Sequence, residues 1–316
     1  MEKFSLGNTG LLVSGLCFGA LPMGPLQAGL SVEKGGALIL AGLERGINFI
    51  DTAESYRTYP HIRFALDRFP GDVVLASKST ADTYQGMRQS VEQALNELGR
   101  SSLEIFHLHA ARDHNPLKSR AEALQALLEL KSKGIIKAIG VASHSVPAIE
   151  RASKDPRIDL LFPLINITGL GILEGGVSGM KAAIAKAAAH GKGLYAMKAF
   201  GGGNLLTDLR ANLDFVRQEV GIPVVAVGMV RPVELEINLA LFEDRPVTPE
   251  LLEEARQYRK KAKVITFLCK GCGRCLELCH SSAIQISDGR AKIDDTRCLL
   301  CGYCSRECPQ FAIRVV

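Results

Sequence analysis

Cysteine is almost missing from the first 268 residues, where Cys17 stands alone out of nine in a chain of 316. That scarcity excludes a disulfide-stapled body. Long hydrophobic runs are missing too. The longest, such as GLLVSGLCFGALPMG over residues 10–24, are broken by Gly, Ser and Pro well short of a membrane span. No membrane segment and no membrane partner are therefore expected. The opening MEKFSLGNTG lacks a basic stretch leading into an apolar one, so the expectation is no signal peptide and a cytoplasmic location. Charge of one sign is not concentrated either: the net +5 is mild, and the densest basic group, RKKAK at 259–263, reads as a solvated helix end. No nucleic-acid partner is expected. No G-x-G-x-x-G follows the first apolar run, which argues against an open doubly wound sheet.

What is present is alternation. Short apolar runs recur as VSGLCFGA, NFIDTA, VVLASKS, LEIFHLH, AIGVASH, LLFPLINI, GLYAMKAF and PVVAVGM. Between them lie segments with apolar residues three and four apart, such as SVEKGGALILAGLERG, TYQGMRQSVEQALNELG and SRAEALQALLELKSKG, each closing on Gly. Eight such units predict an α/β fold, a (β/α)8 TIM barrel over residues 1–245. In a barrel, chemistry sits where strands end. Those ends carry Asp51, with Tyr56 in its loop, Lys78 and His109. Each has an ordinary reading as a cap, a surface side chain or a core histidine, but together they form a set for moving protons. A tyrosine near its free pKa of about 10 is a poor acid at neutral pH. A nearby ammonium lowers that pKa, and a carboxylate keeps the ammonium charged and aimed.

The other eight cysteines fall in the last 48 residues. Cys269, Cys272, Cys275 and Cys279 follow C-x-x-C-x-x-C-x-x-x-C, and Cys298, Cys301, Cys304 and Cys308 repeat it. CHSSAIQI and CPQFAIRV are matching halves of an internal repeat, and IQISDGRAKID between them alternates around Asp288-Gly289 as a hairpin does. Zinc sites use pairs of C-x-x-C rather than unbroken runs of four. The stretch resembles the two-cluster bacterial ferredoxins, with His280 standing where the first run would carry proline. The resemblance implies two [4Fe-4S] clusters with crossed ligands: Cys269, Cys272, Cys275 and Cys308 for one, and Cys298, Cys301, Cys304 and Cys279 for the other. A small α+β ferredoxin-like domain is expected over 267–316.

DTAESY, ASKS, the last His of FHLH and the opening FSLGNTGLLVSGLCFGA resemble the aldo-keto reductase family, over residues 1 to about 243. The resemblance implies that a nicotinamide cofactor, NADP(H) or NAD(H), exchanges hydride with a small carbonyl or alcohol substrate. It implies Tyr56 as general acid, Lys78 and Asp51 as its tuning pair, and His109 as the group that orients substrate. Cofactor contacts depart from the family pattern at one end. Where the family shows serine after Gly-Val, this chain has Ala142 followed by Ser143, and where a glutamine holds the amide it offers Asn166. The phosphate end matches better, with Gly201, Gly202 and Gly203 after the seventh run, and with Arg231 and Asn238 after the eighth. His107 and His109 also form an H-x-H pair, which in a barrel can bind a catalytic metal, but no further ligands come from LLFPLINI or VVAVGM.

A linker helix is expected over 246–266, with Thr248 as N-cap and Pro249 at its first position. It stands where the family has the C-terminal loop that shapes its substrate pocket. Nicotinamides exchange two electrons and clusters one, so three arrangements stay open: structural clusters, a redox protein partner carrying flavin, or a flavin in this barrel. Two functions follow. One is a carbonyl reductase acting through Tyr56; the other is an electron-transfer protein in which the barrel serves as docking body.

Overall fold

The computed structural model describes residues 1–110, 112–257 and 260–315. An antiparallel hairpin, Lys3–Ser5 with Leu12–Ser14, precedes the barrel. The barrel strands are β1 (Leu16–Gly19), β2 (Phe49–Asp51), β3 (Val74–Ser79), β4 (Leu103–His109), β5 (Ile136–Ser143), β6 (Leu160–Pro163), β7 (Gly193–Leu194 and Ala196–Met197) and β8 (Val225–Gly228). All pair in parallel, and the two ends of the sheet are the two halves of β7. The barrel thus closes through Tyr195, as the eight apolar runs predicted.

Alternation along each strand divides the core in two. Residues such as Leu16, Phe18, Ile50, Leu75, Phe106 and Leu108 face the surrounding helices. Cys17, Phe49, Ala76, Ile105, Ala138, Leu160 and Tyr195 fill the barrel, floored by Leu6, Leu11 and Val13 of the hairpin.

Beyond the barrel, the expected linker helix is shorter than 246–266. It spans Pro249–Arg256, with Thr248 capping it through Leu251 N–H. Residues 262–264 are not helical: they form β9 (Ala262–Val264), antiparallel to β12 (Ile313–Val315). The strand closes the small domain on itself, so that domain reaches back before residue 267. RKKAK is accordingly not a helix end from Lys260 onward, while Arg259 lies outside the described residues. β10 (Ile284–Ser287) and β11 (Arg290–Ile293) make the expected hairpin around Asp288-Gly289. No helix among the described residues is long and apolar enough to cross a membrane.

Candidate active site

The parity that packs the barrel also builds the site. In β2, β3 and β4 an interior apolar residue is followed two places later by a polar one: Phe49 by Asp51, Ala76 by Lys78, and Ile105 by His107, with His109 two places further on. Lys78 Nζ donates to Asp51 Oδ2 at 2.6 Å and to the Thr52 carbonyl at 2.7 Å. Both side chains are almost wholly buried. Burial pushes the Asp51 carboxyl up and the Lys78 ammonium down, each against the attraction of the other.

The second Asp51 oxygen accepts from the Tyr195 hydroxyl at 3.0 Å, and that hydroxyl lies 2.7 Å from His107 Nε2. Burial, then Lys78, holds His107 well below the usual imidazole range. A neutral His107 with its proton on Nε2 completes a chain of donors ending on Asp51. Gly140 leaves room for this ring, because a methyl group there would collide with His107 Nδ1. His107 is therefore engaged within the barrel, and no group of three His, Cys, Asp or Glu among the described residues converges on a single-ion site.

Tyr56 ends the short turn Glu54–Tyr56 after β2 and is 7% exposed. Lys78 Nζ lies 4.8 Å from its ring centroid, and the His109 ring meets it edge-on at 6.0 Å. The expected acidification by Lys78 requires correction. The ammonium faces the ring and directs its hydrogen bonds to Asp51 and Thr52. Burial first, then Tyr303 and Asp51, pushes the Tyr56 hydroxyl well above its ordinary value, and that hydroxyl bonds to Tyr303.

Tyr303 belongs to the cysteine-rich domain, which is seated on the barrel mouth. His280 meets Tyr303 edge-on at 5.0 Å and His144 at 5.9 Å. Burial lowers His109 and His144 well below the imidazole range and His280 to about 4. Neutral imidazoles thus roof the mouth, and Nδ1 of each of the three is buried without a hydrogen-bond partner. Arg112 Nη1 donates to the Cys279 carbonyl at 2.9 Å and Asn204 Nδ2 to the Cys298 carbonyl at 2.7 Å. A methyl group on Gly202 would collide with the Leu299 carbonyl, and one on Gly302 with the Leu26 carbonyl.

A cavity of about 1010 Å³ runs from Asp51, Tyr56 and Phe162 out to Arg231, Asn238 and Lys260. Gly202 and Gly203 line it, whereas Gly201 packs on Leu205 and Leu170 instead. Ser143 and Asn166 are not on its wall. The Ser143 hydroxyl donates to the Ala110 carbonyl, and Asn166 ties its own turn through Thr168 and Leu170. Arg231 bonds Glu234 at 3.0 Å and the Ala255 carbonyl at 3.2 Å; Asn238 donates to the Glu234 carbonyl at 2.7 Å. Residues not foreseen from the sequence are Tyr195, Lys198 and Lys260. The Tyr195 signal was its place on the interior face of β7, but Lys198 sits at a backbone φ of 65° that no pattern announces. The cations at the outer end suit phosphate groups. The inner end has no side-chain amide or hydroxyl of the expected pair.

The cysteines fall into two groups. Cys269, Cys272, Cys275 and Cys308 line one small cavity, while Cys304 and Cys298 lie within electrostatic reach of Cys301 and Cys279. All are free of disulfides. Backbone N–H groups of Ala291, Ala283 and Ala312 point at the sulfurs of Cys269, Cys279 and Cys308, at 3.3, 3.2 and 3.2 Å. Two sets of four thiols, with N–H donors aimed at sulfur, fit iron–sulfur clusters as a donor set.

With this geometry in place, the chain belongs to the aldo/keto reductase family, a class of oxidoreductases: the family pattern matches residues 15–221, and a 4Fe-4S dicluster domain matches residues 268–312. Among curated relatives, D-threo-aldose 1-dehydrogenase of Pseudomonas is 25% identical over 48% of this chain and 56% of its own length. L-galactose dehydrogenase of Arabidopsis thaliana is 28% identical over 45% and 48%. The chain thus spans about half the length of these relatives. One component of an ion-translocating oxidoreductase complex from Methanosarcina acetivorans matches at 40% over 15% of this chain and 18% of its own. An aldo-keto reductase structure from Bacillus halodurans superposes with a TM-score of 0.65 at 21% identity, over 81% of this chain and 96% of that one, a likeness of fold.

Proposed function

We propose that this protein is a nicotinamide-dependent oxidoreductase acting on a small carbonyl or alcohol, with Tyr56 as the proton-transferring group and two clusters in the domain seated on the same mouth. The observation that supports it most is the buried Lys78–Asp51 pair at 2.6 Å beneath Tyr56, at the inner end of a cavity whose outer end carries Arg231, Asn238 and Lys260. A nicotinamide bound in that cavity supplies hydride, and clusters held by the two cysteine sets supply single-electron transfer. Arg231 and Lys260 would bind its phosphates, favouring NADPH, while Gly202 and Gly203 allow close backbone approach. The raised pKa of Tyr56 keeps its hydroxyl protonated, so in the reducing direction it is the proton donor to a substrate oxygen. Giving up that proton leaves negative charge on the Tyr56 oxygen, which the Lys78 ammonium facing the ring offsets, and Asp51 with Tyr195 holds Lys78 in place. His109 orients the substrate through its ring nitrogen. The matches give no support to a flavin in this chain.

A second reading, electron transfer with the barrel as docking body, is favoured by one observation: Tyr303 bonds the Tyr56 hydroxyl, so the domain occupies the approach to it. An anaerobic titration of the cluster-loaded protein with NADPH tests both. Bleaching of the iron–sulfur absorbance joins the two sites in one electron path. NADPH consumption only on adding carbonyl compounds, abolished in Tyr56→Phe, makes the barrel a self-sufficient reductase. Neither response, with cluster reduction by protein donors intact, sinks the first reading.

A further inference from the structure

The two cysteine sets meet different surroundings. The second is covered by the barrel: Arg112 and Asn204 hold the carbonyls of Cys279 and Cys298, and Leu299 and Leu300 are buried at 2% and 6% exposure. The first lies away from the barrel, with Cys269, Cys275 and Cys308 buried inside the small domain and one ligand turned outward. Cys272 is exposed, and large apolar side chains stand bare beside its neighbours: Phe267 at 82%, two residues before Cys269, Leu276 at 44%, next to Cys275, and Phe311 at 62%, three after Cys308. Ile286, 37% exposed, lines the cavity of this set. Inside the ligand loop, Lys270 and Arg274 are exposed. Single apolar side chains on a surface are ordinary, but a group of them around one redox site is a recognition feature.

We infer that this face is the docking surface for a one-electron protein partner with an acidic rim, of the flavodoxin type. The inference rests on the redox reading of the clusters given above. Phe267 and Phe311 supply the dry centre and Lys270 and Arg274 the steering charge, the combination that suits a small transient interface. For each electron that leaves the cluster, which is oxidised by one, the partner's flavin gains one electron and takes one proton from solvent. The second set, enclosed against the barrel, is the inner station.

The test uses the full-length, cluster-loaded protein under anaerobic conditions, with an acidic flavodoxin as probe. Binding is measured first, by calorimetry on the two oxidised proteins. A tenfold or greater loss of affinity in the Lys270→Glu, Arg274→Glu double variant is expected, with a similar loss for wild type in half-molar salt. Phe267→Ser with Phe311→Ser is expected to weaken binding severalfold, by the same factor at low and high salt. Clusters are then reduced with dithionite. Both variants should pass electrons to flavodoxin more slowly while reducing benzyl viologen at the wild-type rate, which also shows that their clusters are intact. No binding at low salt, or unchanged affinity and rates in both variants, overturns the proposal. Because dithionite loads the clusters directly, a negative result here leaves the nicotinamide reading of the barrel standing, and failure of that reading leaves this one testable.

Discussion

The barrel and the cysteine-rich domain solve the problem of a core in opposite ways. The barrel has two layers of buried side chains, one inside the strands and one outside, and needs a single buried cysteine, Cys17, as an ordinary apolar filler. The small domain's core cluster sets only Ile284, Ala291, Ala312 and Ile313 beside Cys269, Cys275 and Cys308, while its buried Leu299 and Leu300 lie at the barrel. So few apolar groups cannot offset the entropy of ordering fifty residues, and the clusters must supply the balance. Function therefore sits on a rigid scaffold in one half and on a conditional one in the other, and the mouth where they meet depends on both.

The strongest challenge to that contrast is to withhold iron. Protein made without it should keep a folded barrel but lose residues 262–315 to limited proteolysis, with the eight small-domain cysteines fully reactive toward a thiol reagent. Equal protease resistance with and without iron would show that the small domain has a self-sufficient core.

The next largest effect lies under the mouth. Lys78→Met strands the Asp51 carboxylate in the barrel and should cost about 3–5 kcal/mol of barrel stability in denaturant unfolding. Asp51→Asn together with Lys78→Met should recover most of that loss without recovering turnover. Tyr56→Phe should leave stability within about 1 kcal/mol, since it removes one hydroxyl, while carbonyl reduction falls by a factor of about 10²–10⁴. Full activity in Tyr56→Phe would reassign the mouth to docking.

A smaller effect tests how the halves are joined. Gly302 holds a φ of 83° and its Cα faces the Leu26 carbonyl, so Gly302→Ala adds both backbone strain and a collision. The expected result is about 1–3 kcal/mol of lost docking, read as faster amide exchange in Glu54–Tyr56 while exchange in β3 and β4 stays unchanged.

Much of this is legible in the chain itself. Asp51, Lys78 and His109 can be picked out because a period of two carries them from apolar neighbours to the strand ends, and the eight apolar runs mark the eight strands. The two cysteine runs are legible from spacing, and their crossed grouping from the resemblance to two-cluster ferredoxins. Less legible is whatever depends on two distant segments meeting. Tyr303 looks like filler between cysteines and His280 like a mere replacement for proline, and only the seating of one domain on the other brings them to Tyr56 and His144. Gly202 reads as a phosphate-loop glycine and serves as well to admit Leu299. The linker misleads because PELLEEARQYRKKAK continues a helical composition, yet β9 is drawn off to pair with β12, a tertiary pairing that local propensity does not report.

Lys260 joins the two halves at the finest scale, because it stands on the segment between them and reaches into the cavity of the barrel. Burial lowers its ammonium from 10.5 to about 8, and Nζ donates to Gln27 Oε1 at 2.8 Å. Two pH effects of opposite sign follow. Between pH about 8 and 10.5 the unfolded chain binds a proton here that the folded chain does not, so folding stability should rise as pH increases through that window. Phosphate binding requires the charged form, so NADPH affinity should be full below about pH 8 and weaken above it, by at most about tenfold per pH unit. Calorimetry in two buffers of different ionisation heat should show proton uptake on binding near pH 8, and Lys260→Met should abolish both the uptake and the slope. A flat affinity profile in the wild-type protein would move the phosphate site away from Lys260 and leave Arg231 to hold it from the barrel side alone.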